Sequence, residues 1–225
     1  MKDNIWCFEH VNLYHILCPH KLKEYEQDHF KTYKSGDFIY FPGDRSQKIF
    51  MISKGKVKIV SYNKDGDEVV KAILGKGEIF GEKAILGSDK RVDYALACTE
   101  PTQLCPMELP NMYKLMRENE KFGLSIYKLI GFRIKKMERR FESLLFQDVR
   151  TRLCEFIKEL AEENGVKRGD VIRLTHFYTQ KDFADLIGTK RETVTRLFNE
   201  LKHEGVIDYS RKEIQILNFD KLSMR

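Results

Sequence analysis

The stretch from Thr179 to Gly205 narrows most what this chain can fold into, because it reads as two short amphipathic helices separated by a glycine turn. The first is capped by Thr179 and stopped by Gly188. In the second, over 188–205, Val194, Leu197, Phe198 and Leu201 recur at i, i+3, i+4 and i+7 and form one apolar stripe. Arg191, Glu192, Thr195, Arg196 and Asn199 therefore point elsewhere. That set has the chemistry of a major-groove reader: Arg bonds bidentately to guanine, Glu accepts from cytosine N4, and Thr touches a base or a thymine methyl. Helix, short glycine turn and helix together make a helix-turn-helix. Thr189 followed by Glu192 is also a capping-box pattern, which would fold Glu192 back onto the backbone, so two uses of Glu192 stay open.

Thr179-Gln180-Lys181, Asp185-Leu186-Ile187-Gly188, Arg191-Glu192-Thr193-Val194 and Arg196 resemble the DNA-binding signature of the bacterial CRP/FNR transcription regulators. The cyclic-AMP receptor branch is the nearest match. The resemblance implies Arg191, Glu192, Thr195 and Arg196 as base readers and Thr179, Gln180, Lys181 and Lys190 as phosphate contacts. It also implies a homodimer on double-stranded DNA, a pseudo-palindromic operator with TGTGA-like half-sites, and RNA polymerase as a further partner. Thr195 and Lys190 depart from the branch pattern, which leaves the flanking bases open.

Charge alone only permits such a partner. The 225 residues carry a net charge of +6, with 40 basic against 34 acidic side chains, which is no basic tail. The length accommodates two modest cores. No apolar run approaches the roughly 18 residues of a membrane helix, and the first residues lead into no signal-peptide core, so a cytoplasmic protein without a membrane partner is expected. Five irregularly spaced cysteines argue against a disulfide framework. Cys7, His10, His15, Cys18 and His20 fit no zinc spacing, and no metal site is assigned. Nucleophile-elbow, paired-histidine and Walker motifs are missing, so no reaction is assigned and the chain is not read as an enzyme.

Between Tyr33 and Pro106 short β runs alternate with glycine turns: 38–41, 49–52, 57–60, 69–74 and 94–97. Such spacing implies a barrel or jelly roll, and it resembles the cyclic-nucleotide-binding β-roll that the regulator family carries there. Gly77-Glu78-Ile79-Phe80-Gly81-Glu82 followed by Arg91 could cradle a phosphate at a helix start, with Glu82 available to a ribose hydroxyl. The family's nucleotide binders place a small hydroxyl residue after that arginine and hydroxyls on the central helix. Here those places hold Val92, followed by Asp93, and Met137 with Glu138. The candidate effector pocket is thus Gly81, Glu82, Arg91, Val92, Met137 and Glu138. No cofactor is fixed by these residues; a cyclic nucleotide stays open, with ordinary cyclic AMP disfavoured by the lost hydroxyls and the added carboxylate. The alternative within the roll is a structural one, in which Arg91 pairs with Glu82 or Asp93.

The pattern then turns helical. A short helix is expected over 111–117 and a long one over 122–145, with apolar residues three and four apart, suited to pairing with a second copy. A break at 146–150, a helix at 152–164, a strand at 171–174, the helix pair and a hairpin over 206–217 complete a winged helix-turn-helix. The fold class is therefore α+β: an N-terminal β-roll, a long dimerisation helix and a C-terminal winged helix-turn-helix. The expected domains are a sensor at 1–120, the dimerisation helix and hinge at 121–147, and the DNA-binding domain at 148–225. Two further controls of DNA affinity stay open: an iron-sulfur or thiol switch, which the resemblance implies through Cys105 with Cys7 and Cys18, near where the family's iron-sulfur branch keeps its ligands, and constitutive binding without any effector.

Overall fold

A computed structural model describes residues 30–222. The chain divides into two compact units, one ending at Lys135 and the other running from Lys136 through the C-terminal region.

In the first unit, eight strands form two antiparallel four-stranded sheets. One has the order β1 (Lys31–Tyr33), β8 (Thr102–Glu108), β3 (Lys48–Lys54), β6 (Ile79–Phe80). The other is β2 (Phe38–Tyr40), β7 (Tyr94–Ala97), β4 (Val57–Tyr62), β5 (Glu68–Leu74). Strand periodicity decides what each face buries. Phe50 and Ile52 of β3 point between the sheets, where they meet Tyr40, Val57, Ile59, Leu74, Phe80, Ala95 and Leu104. Ile49 and Met51, one residue out of step, face the other way. With Cys105 and Met107 they pack on Met112 and Leu115 of helix α1 (Leu109–Glu118) and Phe122 and Ile126 of helix α2 (Glu120–Phe146). Each buried side chain of this size contributes about 1.5–3 kcal/mol. The alternation of β3 therefore makes one strand serve two cores.

The second unit holds the end of α2, α3 (Val149–Asn164), the hairpin β9 (Gly165–Arg168) and β10 (Val171–Thr175), α4 (Gln180–Ile187), α5 (Arg191–His203), and the wing strands β11 (Ile207–Tyr209) and β12 (Glu213–Ile216). The four strands form one sheet in the order β11-β12-β10-β9. Its aromatic core runs Phe156 to Phe183 to Phe198, with centroids 5.4 and 5.3 Å apart in edge-on contacts. Val194, Leu197, Phe198 and Leu201 are at most 4% exposed, so the apolar stripe of α5 is the buried face.

Three expectations are corrected. β8, absent from the sequence reading, pairs with both β1 and β3. The glycine segment 77–82 is not a helix-start loop throughout: Ile79–Phe80 is a strand on β3, and only then does Gly81 cap a 3-10 turn over Glu82–Leu86. The capping box falls on α4, where the Thr179 hydroxyl accepts from Asp182 N at 3.1 Å and the Asp182 carboxylate accepts from Thr179 N at 2.8 Å. Helix α5 starts after Lys190 with no side-chain cap, so Thr189 and Glu192 form no box.

Candidate nucleic-acid interface and roll pocket

Helix α5 owes its orientation to the turn before it. Gly188 has φ +71, a left-handed conformation, and a Cβ there would lie 2.6 Å from Leu144 Cδ2. Arg152, 6% exposed, donates to three carbonyls beside this turn: Ile187 O at 2.8 Å, Gln147 O at 2.6 Å and Gly188 O at 3.4 Å. With its apolar stripe buried, α5 turns Arg191, Glu192, Thr195, Arg196, Asn199, Glu200, His203 and Glu204 onto an open groove of about 880 Å³.

The four expected base-reading residues share this face, but their side chains are in different states. Those of Arg191 and Glu192 are exposed and make no hydrogen bond or ion pair among the described residues. The Thr195 hydroxyl lies within bonding distance of two acceptors, Gln180 Oε1 at 2.5 Å and Arg191 O at 3.0 Å. Arg196 is paired with Glu200 at 2.5 Å. Of the expected phosphate contacts, Thr179 caps α4, Gln180 holds Thr195, Lys181 pairs with Asp185 at 3.5 Å, and Lys190 is exposed at the start of α5. Arg211 and Lys212 are exposed at the wing tip.

The sequence reading missed a charged chain along this face. Arg150, in the first turn of α3, forks onto the Glu204 carboxylate, with Nη1 2.9 Å from Oε1 and Nη2 on the other oxygen, and it lies 3.8 Å from Glu200. This pairing raises the Arg150 pKa and lowers that of Glu204. The i,i+4 spacing of Arg196, Glu200 and Glu204 was the available signal. Asn199, an exposed neighbour of Arg196, accepts from the Tyr209 hydroxyl of the wing at 2.8 Å.

The roll pocket is built differently. Arg91 is 6% exposed. Its Nη1 donates to Gly81 O at 2.9 Å, its Nη2 donates to Lys48 O, and its guanidinium lies 4.5 Å over the Tyr40 ring. Burial lowers its pKa. Gly81 has φ +78, and a Cβ there would come within 2.8 Å of Arg91 Nη1, so glycine is what lets the arginine close on that carbonyl. Arg91 makes no ion pair with Glu82 or Asp93 among the described residues, which corrects the expected structural pairing. Glu82 instead binds Arg133 of α2 at 2.6 Å, and Arg133 also donates to Ile79 O. Buried Asp93 takes Lys83 at 2.8 Å, Lys71 at 3.7 Å and the Tyr40 hydroxyl at 3.2 Å. Burial first and Asp93 second push the Tyr40 pKa up. Val92 is 61% exposed and brings no hydroxyl. Met137 and Glu138 are exposed on α2 and belong to the other compact unit.

Two Arg91 nitrogens are thus spent on main-chain oxygens and the Glu82 carboxylate on Arg133, while Arg91 Nε is buried without a partner.

Cys105 is 2% exposed within the apolar core, and burial pushes the Cys154 thiol up to about 11, far from a reactive thiolate. Among the described residues no group of three metal-ligating side chains is placed to hold an ion. No helix there is long and apolar enough to cross a membrane. Cys7, His10, His15, Cys18 and His20 lie outside the described residues.

Comparison with known proteins gives a consistent pair of matches. Residues 30–119 match the family model for a cyclic nucleotide-binding domain, and residues 151–225 match that for a Crp-like helix-turn-helix domain. A global nitrogen regulator from Nostoc is 28% identical over 83% of this chain and 84% of its own. A CRP-like cAMP-activated global transcriptional regulator from Mycobacterium tuberculosis is 27% identical over 84% of each chain. A CooA variant from Carboxydothermus hydrogenoformans has the same fold, with a TM-score of 0.73 at 23% identity over 98% of this chain and 97% of that one.

Proposed function

The chain belongs to the CRP/FNR family of transcription regulators, non-enzymatic proteins that bind DNA through a helix-turn-helix, and on that premise we propose that it is a homodimeric, sequence-specific regulator. Arg191, Glu192, Thr195 and Arg196 read bases, and Thr179, Gln180, Lys181 and Lys190 approach phosphates. The observation that carries this reading is that Arg191 and Glu192 stand exposed and uncommitted in the first turn of α5, the part of a recognition helix that meets base edges. TGTGA-like half-sites follow from Arg191, Glu192 and Arg196. Two such helices on a two-fold axis address half-sites about 34 Å apart.

The two-fold partner is a second copy. Ile130, Ile134, Met137 and Phe141 are spaced four, three and four apart on α2 and are each 46–72% exposed in the single chain. That is the spacing of a coiled-coil seam. The regulator acts in the cytoplasm, and RNA polymerase is its further partner.

Control by ordinary cyclic AMP is disfavoured, because both Arg91 Nη atoms and the Glu82 carboxylate already have partners and Val92 brings no hydroxyl. The roll responds to a different effector or holds the protein in a DNA-binding state without one. Selection of duplexes from a random pool by the full-length protein, with and without cyclic nucleotides, tests both halves. Enrichment of a two-fold site that cyclic AMP leaves unchanged is expected. The absence of any enriched sequence overturns the base-reading assignment, and enrichment only with cyclic AMP overturns the effector reading.

A further inference from the structure

On the reading that α5 meets base edges, we propose that Glu200 is a specificity-setting residue that acts by holding Arg196 against the helix until a base edge replaces it. Arg196 Nη1 lies 2.5 Å from Glu200 Oε1, one turn further along the same groove. Glu200 is held from its other side: Arg150, forked onto Glu204, stands 3.8 Å from it. Two arginines thus face the one carboxylate. Neither Glu200 nor Glu204 nor Arg150 is among the residues assigned to bases or phosphates.

The consequence is a difference between correct and incorrect DNA. On an arbitrary duplex, an unrestrained Arg196 would take a phosphate, a contact worth the same on every sequence. Glu200 competes for that guanidinium and so withholds it from the backbone. Against a correctly placed guanine, two in-line hydrogen bonds replace the carboxylate, so the competition weakens specific binding less than non-specific binding.

Binding by the full-length protein, Glu200→Gln, Arg196→Ala and the double variant tests this on two probes across a salt series: a duplex selected from a random pool by the parent protein, and a scrambled duplex of equal composition. Glu200→Gln should gain about one phosphate contact on the scrambled duplex. It then binds about fivefold tighter near 0.15 M salt, and its slope against log salt steepens by about 0.9. The selected duplex should gain less, so the specificity ratio falls, and the double variant should lose the gain. Equal tightening on both duplexes, or a gain that persists without Arg196, overturns the proposal while leaving base reading intact. If the parent protein selects no sequence, the base-reading assignment fails and this proposal fails with it. Thermal melting of each variant checks that α5 remains folded.

Discussion

Arg191 and Arg91 come from two motifs of the same family, yet the protein treats them oppositely. Arg191 is exposed in the groove of α5, with no partner for its side chain among the described residues. Arg91 is buried, bonded to Gly81 O and Lys48 O and stacked on Tyr40. A motif residue left uncommitted is available to a ligand, whereas one that satisfies buried carbonyls has become part of the scaffold. The DNA-binding unit has kept its chemistry on the surface, and the roll has turned the same kind of residue inward.

The strongest way to break this comparison is Arg91→Ala. It removes the guanidinium donors to Gly81 O and Lys48 O and empties the space over Tyr40, and a loss of about 3 kcal/mol in urea unfolding is expected. Unchanged stability would mean that Arg91 is held for a ligand after all. Arg191→Ala should do the reverse: unfolding shifts by less than about 0.5 kcal/mol, while affinity for the selected duplex falls by about 1–3 kcal/mol with preference relaxed at one position.

Asp148→Ala comes next. Its carboxylate accepts from Thr151 N at 2.8 Å as the cap of α3, an interaction that also lowers its pKa. The substitution should cost about 1 kcal/mol of stability in the DNA-binding unit.

A gentler change comes with pH. Burial lowers the pKa of His176, outweighing the opposing effect of the Tyr178 backbone, and the ring packs edge-on to Phe183 at 5.6 Å. Its neutral form is the folded one. Stability is therefore complete above the unfolded histidine pKa of about 6.5 and declines as pH falls below it. His176→Phe should flatten that decline in melts of the DNA-binding unit. The smallest effect is expected from cyclic AMP: saturating nucleotide should leave the melting temperature unmoved, since only a ligand that binds the folded state raises it.

How much of this was legible in the sequence depended on whether a segment's neighbours were encoded locally. α4 and the strand at Tyr94–Ala97 were read to the residue, because caps, turns and periodicity lie within the segment itself. β8 was lost because Pro106 argues against a central strand. In the fold, β1 pairs only with 102–104, so among the described residues β8 has β3 alone beyond that point, where a missing donor is tolerated. Of the two uses left open for Glu192, the capping box with Thr189 falls away because the turn at Gly188 delays α5 until Arg191. For the site, sequence supplied which side chains share the face of α5. It did not show that Arg150, distant in sequence, reaches Glu204, or that Arg133 holds Glu82, since both pairings depend on tertiary packing.

The bare Gly188 turn has one more consequence. Leu144, from the last turn of α2, occupies the space that a side chain at residue 188 would need, while Arg140 reaches Asp185 O at 3.2 Å and Gln147 bonds both Ser143 and Glu155. The elbow between α2 and α3 is therefore splinted rather than slack. A side chain added at residue 188 would press first on Leu144, so the end of α2 and the turn from which α5 starts share one filled space.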